Sequence, residues 1–113
     1  MRPQPDVTSA SAEEPATGDA ATGAQLNEEG FALMNQGRYD EAIPVLQQAV
    51  DSFPEGTTDL NYAYALFNLG KSLRLAGRPD EAIPILEQRL EIPNQTETVQ
   101  QELDLAKQQA KES

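Results

Sequence analysis

Two pairs of adjacent carboxylates, Asp40-Glu41 and Asp80-Glu81, stand at equivalent places forty residues apart. Paired acids can run general acid–base chemistry when their surroundings push their proton affinities apart. Here each pair opens a short apolar run, where Asp40 and Asp80 are predicted N-caps that set negative charge beside the free amides of a helix. The usual partners for chemistry are missing, because the chain has no histidine and no cysteine. That removes the commonest general base, the commonest metal ligand and any thiolate nucleophile. Gly70-Lys71-Ser72 lacks the earlier glycine of a phosphate-binding loop and falls inside a predicted helix. These residues predict no enzyme, no metal site and no cofactor.

The elements around the acids repeat. Gly37-Arg38-Tyr39-Asp40-Glu41-Ala42-Ile43-Pro44-Val45-Leu46 returns as Gly77-Arg78-Pro79-Asp80-Glu81-Ala82-Ile83-Pro84-Ile85-Leu86, with eight of ten residues identical. Self-similarity at this period marks supersecondary units that stack because none can bury its apolar face alone. Ahead of the two decads stand Leu26-x2-Glu29-Gly30-x2-Leu33 and Leu66-x2-Leu69-Gly70-x2-Leu73, each with a small residue seven positions before the turn glycine. Gly30 and Gly70 are expected where two helices cross, faced by Ala42 and Ala82, since close-packed backbones leave no room for a large side chain. Gly37 and Gly77 are expected to end the first helix of each pair in the left-handed conformation. Pro44 and Pro84 place the start of the second helices near residues 40 and 80, where a proline ring costs one hydrogen bond at most.

This pattern resembles the tetratricopeptide repeat (TPR). The resemblance implies an all-α, right-handed α-solenoid of two helix-turn-helix repeats plus a C-terminal capping helix. Some positions depart from it. Glu29 stands where the family has leucine, Arg89 where it has alanine, and Pro93 comes one residue earlier than Pro54 does in the first unit; together these suggest that the array ends there. The period exceeds the usual thirty-four residues of a TPR, and the excess lies in 54–61, as a longer loop plus an extended following helix. The last fifty residues also resemble TPR tails found behind bacterial serine/threonine protein kinases.

Helices are expected at about 24–36, 40–53, 59–76, 80–91 and 96–111, the third being the longest and central, and the last an amphipathic cap with Val99, Leu103, Ala106 and Ala110 on one face. Repeat 1 then covers about 23–56 and repeat 2 about 59–94 of a domain over 23–113. Residues 1–22 hold no large apolar residue beyond Met1 and Val7 and are dominated by Ala, Thr, Ser, Pro, Gly and acids. This composition predicts a disordered tail or linker of the kind that tethers a module to a larger protein. It also lacks the apolar centre of a signal peptide, and no apolar run approaches the ~18 residues of a membrane span. The chain is therefore expected to be soluble, and no feature assigns a compartment.

The net charge is −11, and setting aside residues 1–22, which carry −3, leaves −8 on the remainder. Nucleic acid and anionic membrane surfaces are repelled by such a protein, and a neutral or basic protein partner is favoured. In TPR-like stacks the first helix of each pair lines a concave groove, and the resemblance assigns Asn27, Phe31, Met34 and Asn35 from the first repeat, Tyr64, Phe67, Asn68, Lys71 and Arg74 from the second, and Gln101 from the cap. Within each helix these positions share one face. Aromatic, thioether and amide side chains beside Lys71 and Arg74 suit a peptide or helical segment with an apolar anchor and one acidic group. Some TPRs hold C-terminal carboxylates with a Lys, Asn and Arg clamp; Asn68 matches one such position, but Asn27, Phe31 and Tyr64 replace others, so that clamp is not supported. The expected function is noncatalytic protein binding. The alternative is self-assembly, in which the aromatic face makes a homodimer or the segment around Gly56 acts as a hinge for exchanging 59–113 between chains.

Overall fold

The structure, a computed structural model, describes residues 20–112. Five α-helices follow one another: α1 (Ala20–Asn35), α2 (Tyr39–Asp51), α3 (Leu60–Leu75), α4 (Pro79–Leu90) and α5 (Thr96–Glu112). Each helix packs on the next in sequence, and α3 also touches α1 and α5. The result is an all-α helical-repeat solenoid, with α1, α3 and α5 side by side and α2 and α4 behind them. The expected tail 1–22 lies outside the described residues up to position 19, while residues 20–22 are the first turn of α1. That turn is held from a distance. A Cβ at Gly23 would lie 2.4 Å from Cε2 of Phe53, and Phe53 in turn meets Tyr62 edge to face at 5.6 Å. A bare backbone at Gly23 lets a ring from the α2–α3 connection cover it, so small residues that look like linker continue the helix.

The amphipathic spacing explains the core. Ala42, Ile43, Leu46 and Ala49 are the buried residues of α2, and Val99, Leu103 and Ala106 supply the apolar face of α5. On α3, residues from Ala63 to Leu73 are buried on most sides, as a central helix requires. Leu46, Leu66, Leu69 and Leu86 are fully buried, each contributing about 1.5–3 kcal/mol by removal from water. α3 is not the longest helix, being 16 residues like α1, against 17 for α5. The residues beyond the usual repeat length sit in the connection 52–59, which includes Gly56 at φ 79°.

Both turn glycines take positive φ, 76° at Gly37 and 84° at Gly77. The following amides close the helix ends, Arg38 N–H donating to the Leu33 carbonyl at 2.9 Å and Arg78 N–H to that of Leu73 at 2.8 Å. The predicted N-caps are corrected by one turn geometry: Arg38 and Arg78 occupy the cap positions, without a side-chain cap bond, and Asp40 and Asp80 lie within the first turn. The helices begin earlier because Tyr39 and Pro79 already take helical conformation, proline being preorganised for that place. Asp40 and Asp80 still oppose the positive end of the helix dipole. Pro44 and Pro84 are then sixth in their helices, inside rather than at the end of the first turn, with their rings exposed to solvent.

Arg38 and Arg78 are used instead as partners for the acids. The Arg78 guanidinium donates from Nε and NH2 to Glu81 at 2.8 and 2.7 Å, and Arg38 grips Glu41 in the same two-pronged way. These hydrogen bonds, before any other influence, hold the Glu41 and Glu81 carboxyls below the usual carboxylate range. A carboxyl whose pKa is depressed on folding adds stability that is complete above its unfolded value of about 4.3 and is lost as pH falls through the lower folded value. Between about pH 5 and about pH 2, the urea midpoint of the natural chain is expected to fall further than that of the double variant Glu41→Gln/Glu81→Gln. Parallel curves would show that the exposed pairs add nothing.

The atoms nearest the crossing glycines belong to leucines. A Cβ on Gly30 would lie 2.5 Å from Cγ of Leu46, and one on Gly70 would lie 2.6 Å from Cδ2 of Leu86. Ala42 and Ala82 are fully buried one turn earlier on the same helix faces. Gly70→Val is expected to cost about 1–3 kcal/mol through overpacking, and to couple to Leu86→Ala by about 0.5–3 kcal/mol in a double-mutant cycle. Additive denaturant-melt energies would contradict the contact.

Candidate binding site

Within the first-helix layer, a cavity lies between α1 and α3. It measures about 280 Å³ and is lined by Asn27, Glu28 and Phe31 from α1, Tyr64, Phe67 and Asn68 from α3, Arg89 from α4 and Gln95 from the connection before α5. Phe31 is 49 % and Tyr64 39 % exposed, and Phe67 is half-buried. Three rings on adjacent helices thus converge on one hollow and keep surface free on its walls. The spacing that brings them there is helical, since Asn27 and Phe31, and Tyr64, Phe67 and Asn68, fall three or four residues apart.

At the bottom of the cavity the two amides meet. Asn68 Nδ2 donates to Asn27 Oδ1 at 2.9 Å, with both residues nine-tenths buried. This bond joins α1 to α3 across forty-one positions of sequence. It uses one group of each amide and leaves Asn27 Nδ2 as a donor and Asn68 Oδ1 as an acceptor, the complement of a peptide unit.

Five of the ten residues expected in the groove are therefore brought together: Asn27, Phe31, Tyr64, Phe67 and Asn68. The other five stand apart from the cavity. Met34 packs in the core with Leu46 and Leu69, because its position on α1 turns toward α2. Asn35 ends α1 and is exposed, Lys71 is half-buried one turn beyond Asn68, and Gln101 is exposed on α5. Arg74 has a partner. Its Nε donates to Glu102 Oε2, and NH2 donates to Oε1 at 3.3 Å. Glu102 is nearly buried, and Gln109 Nε2 donates to the Arg74 carbonyl at 3.0 Å. The Arg74 cation is neutralised by the capping helix, so it ties α3 to α5.

Sequence reasoning missed Arg89 as part of this site. It occupies the position equivalent to fully buried Ala49 and is itself only 1 % exposed. NH1 donates to the Ile92 carbonyl at 3.1 Å, and NH2 donates to the carbonyl and side-chain oxygen of Asn94 at 2.8 and 3.1 Å. Burial lowers the guanidinium's affinity for its proton, and neighbouring Tyr64 acts in the opposite sense. The departure from alanine was visible in the sequence, but the direction of the side chain was not.

A wider cavity of about 610 Å³ lies between the 55–60 segment and the end of α4, and Gln88 Nε2 donates to the Tyr62 hydroxyl at 2.7 Å on its wall. It has Glu55 and Glu91 on its lining and no cation, so it lacks the mixture of rings, amides and positive charge found between α1 and α3. Among the described residues, no group of three or more His, Cys, Asp or Glu could hold a metal ion, and no helix is long and apolar enough to cross a membrane.

The paired helices, the positive-φ turn glycines and the glycine–leucine crossings recur in two units. A tetratricopeptide-repeat family model matches residues 22–95. The chain belongs to the tetratricopeptide-repeat family. TPRs form a noncatalytic family of interaction modules and generally mediate protein–protein contacts. The match spans both TPR units of this chain and ends just before α5. No curated protein and no solved structure matched the chain.

Breaking the amide pair from one side leaves a buried polar group without its partner, at about 1–3 kcal/mol. Asn68→Leu alone is expected to lose about that much in denaturant melts, and Asn27→Leu/Asn68→Leu to lose less than the two single changes together. A double variant at or beyond their sum would contradict the pairing.

Proposed function

We propose that this TPR chain is a noncatalytic binding module that takes a peptide segment of a partner protein in the cavity between α1 and α3. The observation that carries this reading is the convergence of Phe31, Tyr64 and Phe67, partly exposed, around the buried Asn27–Asn68 pair. An apolar side chain of the partner fits between the rings, where aromatic surface supplies contact area at little entropic cost. The free amide donor and acceptor pair with the partner's main chain, so affinity comes from the rings and register from the amides. Over longer range the charge of −11 favours a partner that is neutral or basic overall and disfavours nucleic acid and anionic membranes.

The test is selection of a random dodecapeptide library on the immobilised full chain. Recovered peptides are expected to share an apolar anchor, and Tyr64→Glu or Phe31→Glu is expected to weaken their binding at least about tenfold with unchanged far-UV circular dichroism. Unchanged affinity in both variants would overturn the groove. Light scattering over a wide concentration range separates the other occupant of the same face: a dimer that Tyr64→Glu dissociates would replace the peptide with a second copy of the chain.

A further inference from the structure

Arg89 is a buried cation without a counter-ion. Three ion pairs occur among the described residues, Arg38–Glu41, Arg74–Glu102 and Arg78–Glu81, and none includes it. Its hydrogen-bond acceptors are neutral, being the Ile92 and Asn94 carbonyls and the Asn94 side-chain oxygen. Its Nε, also buried, has no acceptor at all. Glu28, the carboxylate on the same cavity, forms no ion pair with it. A buried charge that lacks an opposite charge is unfavourable, and an unused guanidinium N–H keeps its full demand for an acceptor.

The place of this side chain gives the demand a direction. Arg89 lines the same cavity as Phe31, Tyr64 and Asn68, so an acceptor entering there approaches the cation in a site partly shielded from water. Charge-assisted hydrogen bonds to a guanidinium are among the stronger polar contacts, and carboxylates match its planar fork. A singly charged carboxylate suits one unpaired guanidinium in a protein of net charge −11, whereas a doubly charged phosphate is opposed by the surrounding field. The preference for a neutral or basic partner remains, since the overall field acts at long range and is screened within about 8–10 Å at ordinary salt, while the contact at Arg89 is local.

We infer that the cavity between α1 and α3 is a two-part site, in which Phe31, Tyr64 and Phe67 hold an apolar side chain and Arg89 holds an Asp or Glu side chain a few residues away in the same peptide. This rests on the binding function proposed above and names its specificity. It also moves the acidic contact away from Arg74, which Glu102 already occupies.

The experiment uses the full chain and the tightest peptide from the dodecapeptide selection, synthesised N-acetylated and C-amidated so that side chains supply its only carboxylates. The expected result is a recovered acid near the apolar anchor and about tenfold weaker binding when that acid is changed to its amide, a difference that largely persists in higher salt because a shielded contact is little screened. The Arg89 Nε–H resonance is expected to shift with the acid peptide and not with its amide form. Arg89→Met is expected to bind both peptides alike, with the affinity the natural chain shows for the amide form; if that variant does not fold, the resonance and salt readings on the natural chain decide. Peptides without an acid, or equal affinity for acid and amide with no Arg89 shift, would overturn the anion subsite and leave the apolar groove intact. Recovered peptides indifferent to both Tyr64→Glu and Phe31→Glu would overturn the groove reading itself.

Discussion

A leucine side chain lying on the bare backbone of a glycine, made once in each helix pair, sets the spacing from which the rest of the fold is built. Leu46 sits where a Gly30 Cβ would be and Leu86 where a Gly70 Cβ would be. Because close-packed interiors do not absorb a misplaced methyl group, these contacts fix how near α1 approaches α2 and α3 approaches α4. The second helices are thereby held behind the first, and the first-helix layer of α1, α3 and α5 is left to present a common face. The turn glycines contribute the other half of the constraint, reversing the chain quickly enough for the pairs to close.

On this apolar frame, polar links decide how neighbouring units sit. Asn27 with Asn68 joins α1 to α3, and Arg74 with Glu102 joins α3 to α5. Each lies between first helices, so the face that carries the cavity is also the face that is cross-linked. Arg89 belongs to the second layer and holds the connection to the cap through Ile92 and Asn94. Arg89 also lines the cavity, which is how a residue on α4 becomes part of a site made mainly by α1 and α3.

A TPR scaffold by itself is a way to hold side chains in a row, and the function of a particular one depends on which side chains stand on it. Here the exposed rings Phe31 and Tyr64 stand on the first helices, α1 and α3, and both border the same hollow. One hollow combines aromatic walls, an amide pair with a spare donor and acceptor, and a buried positive charge. Such a combination separates contact area, main-chain register and charge selection among different residues of one small site.

The helices, their order and the two turns were legible in the sequence alone, because the repeated decad and its flanking glycines report local propensities and the period of a stacked helix pair. So were the absence of histidine and cysteine, which is composition, and the common face of Tyr64 and Phe67 on one helix, which is spacing, while it was the resemblance to TPRs that set Phe31 beside them. Only the tertiary structure decided what depends on distant residues meeting. Residues 20–22 become helix because Phe53 covers Gly23; Met34 turns to the core because α2 lies against it; Arg74 is neutralised because Glu102 arrives on α5. Asp40 and Asp80 are displaced from the cap because Tyr39 and Pro79 extend the helices by a position or two, a difference too small for local pattern to register. Arg89 shows the limit most clearly: its identity marked a break from the repeat, but its burial beside Tyr64 without an opposing charge is a property of three-dimensional neighbours, which one-dimensional spacing does not contain.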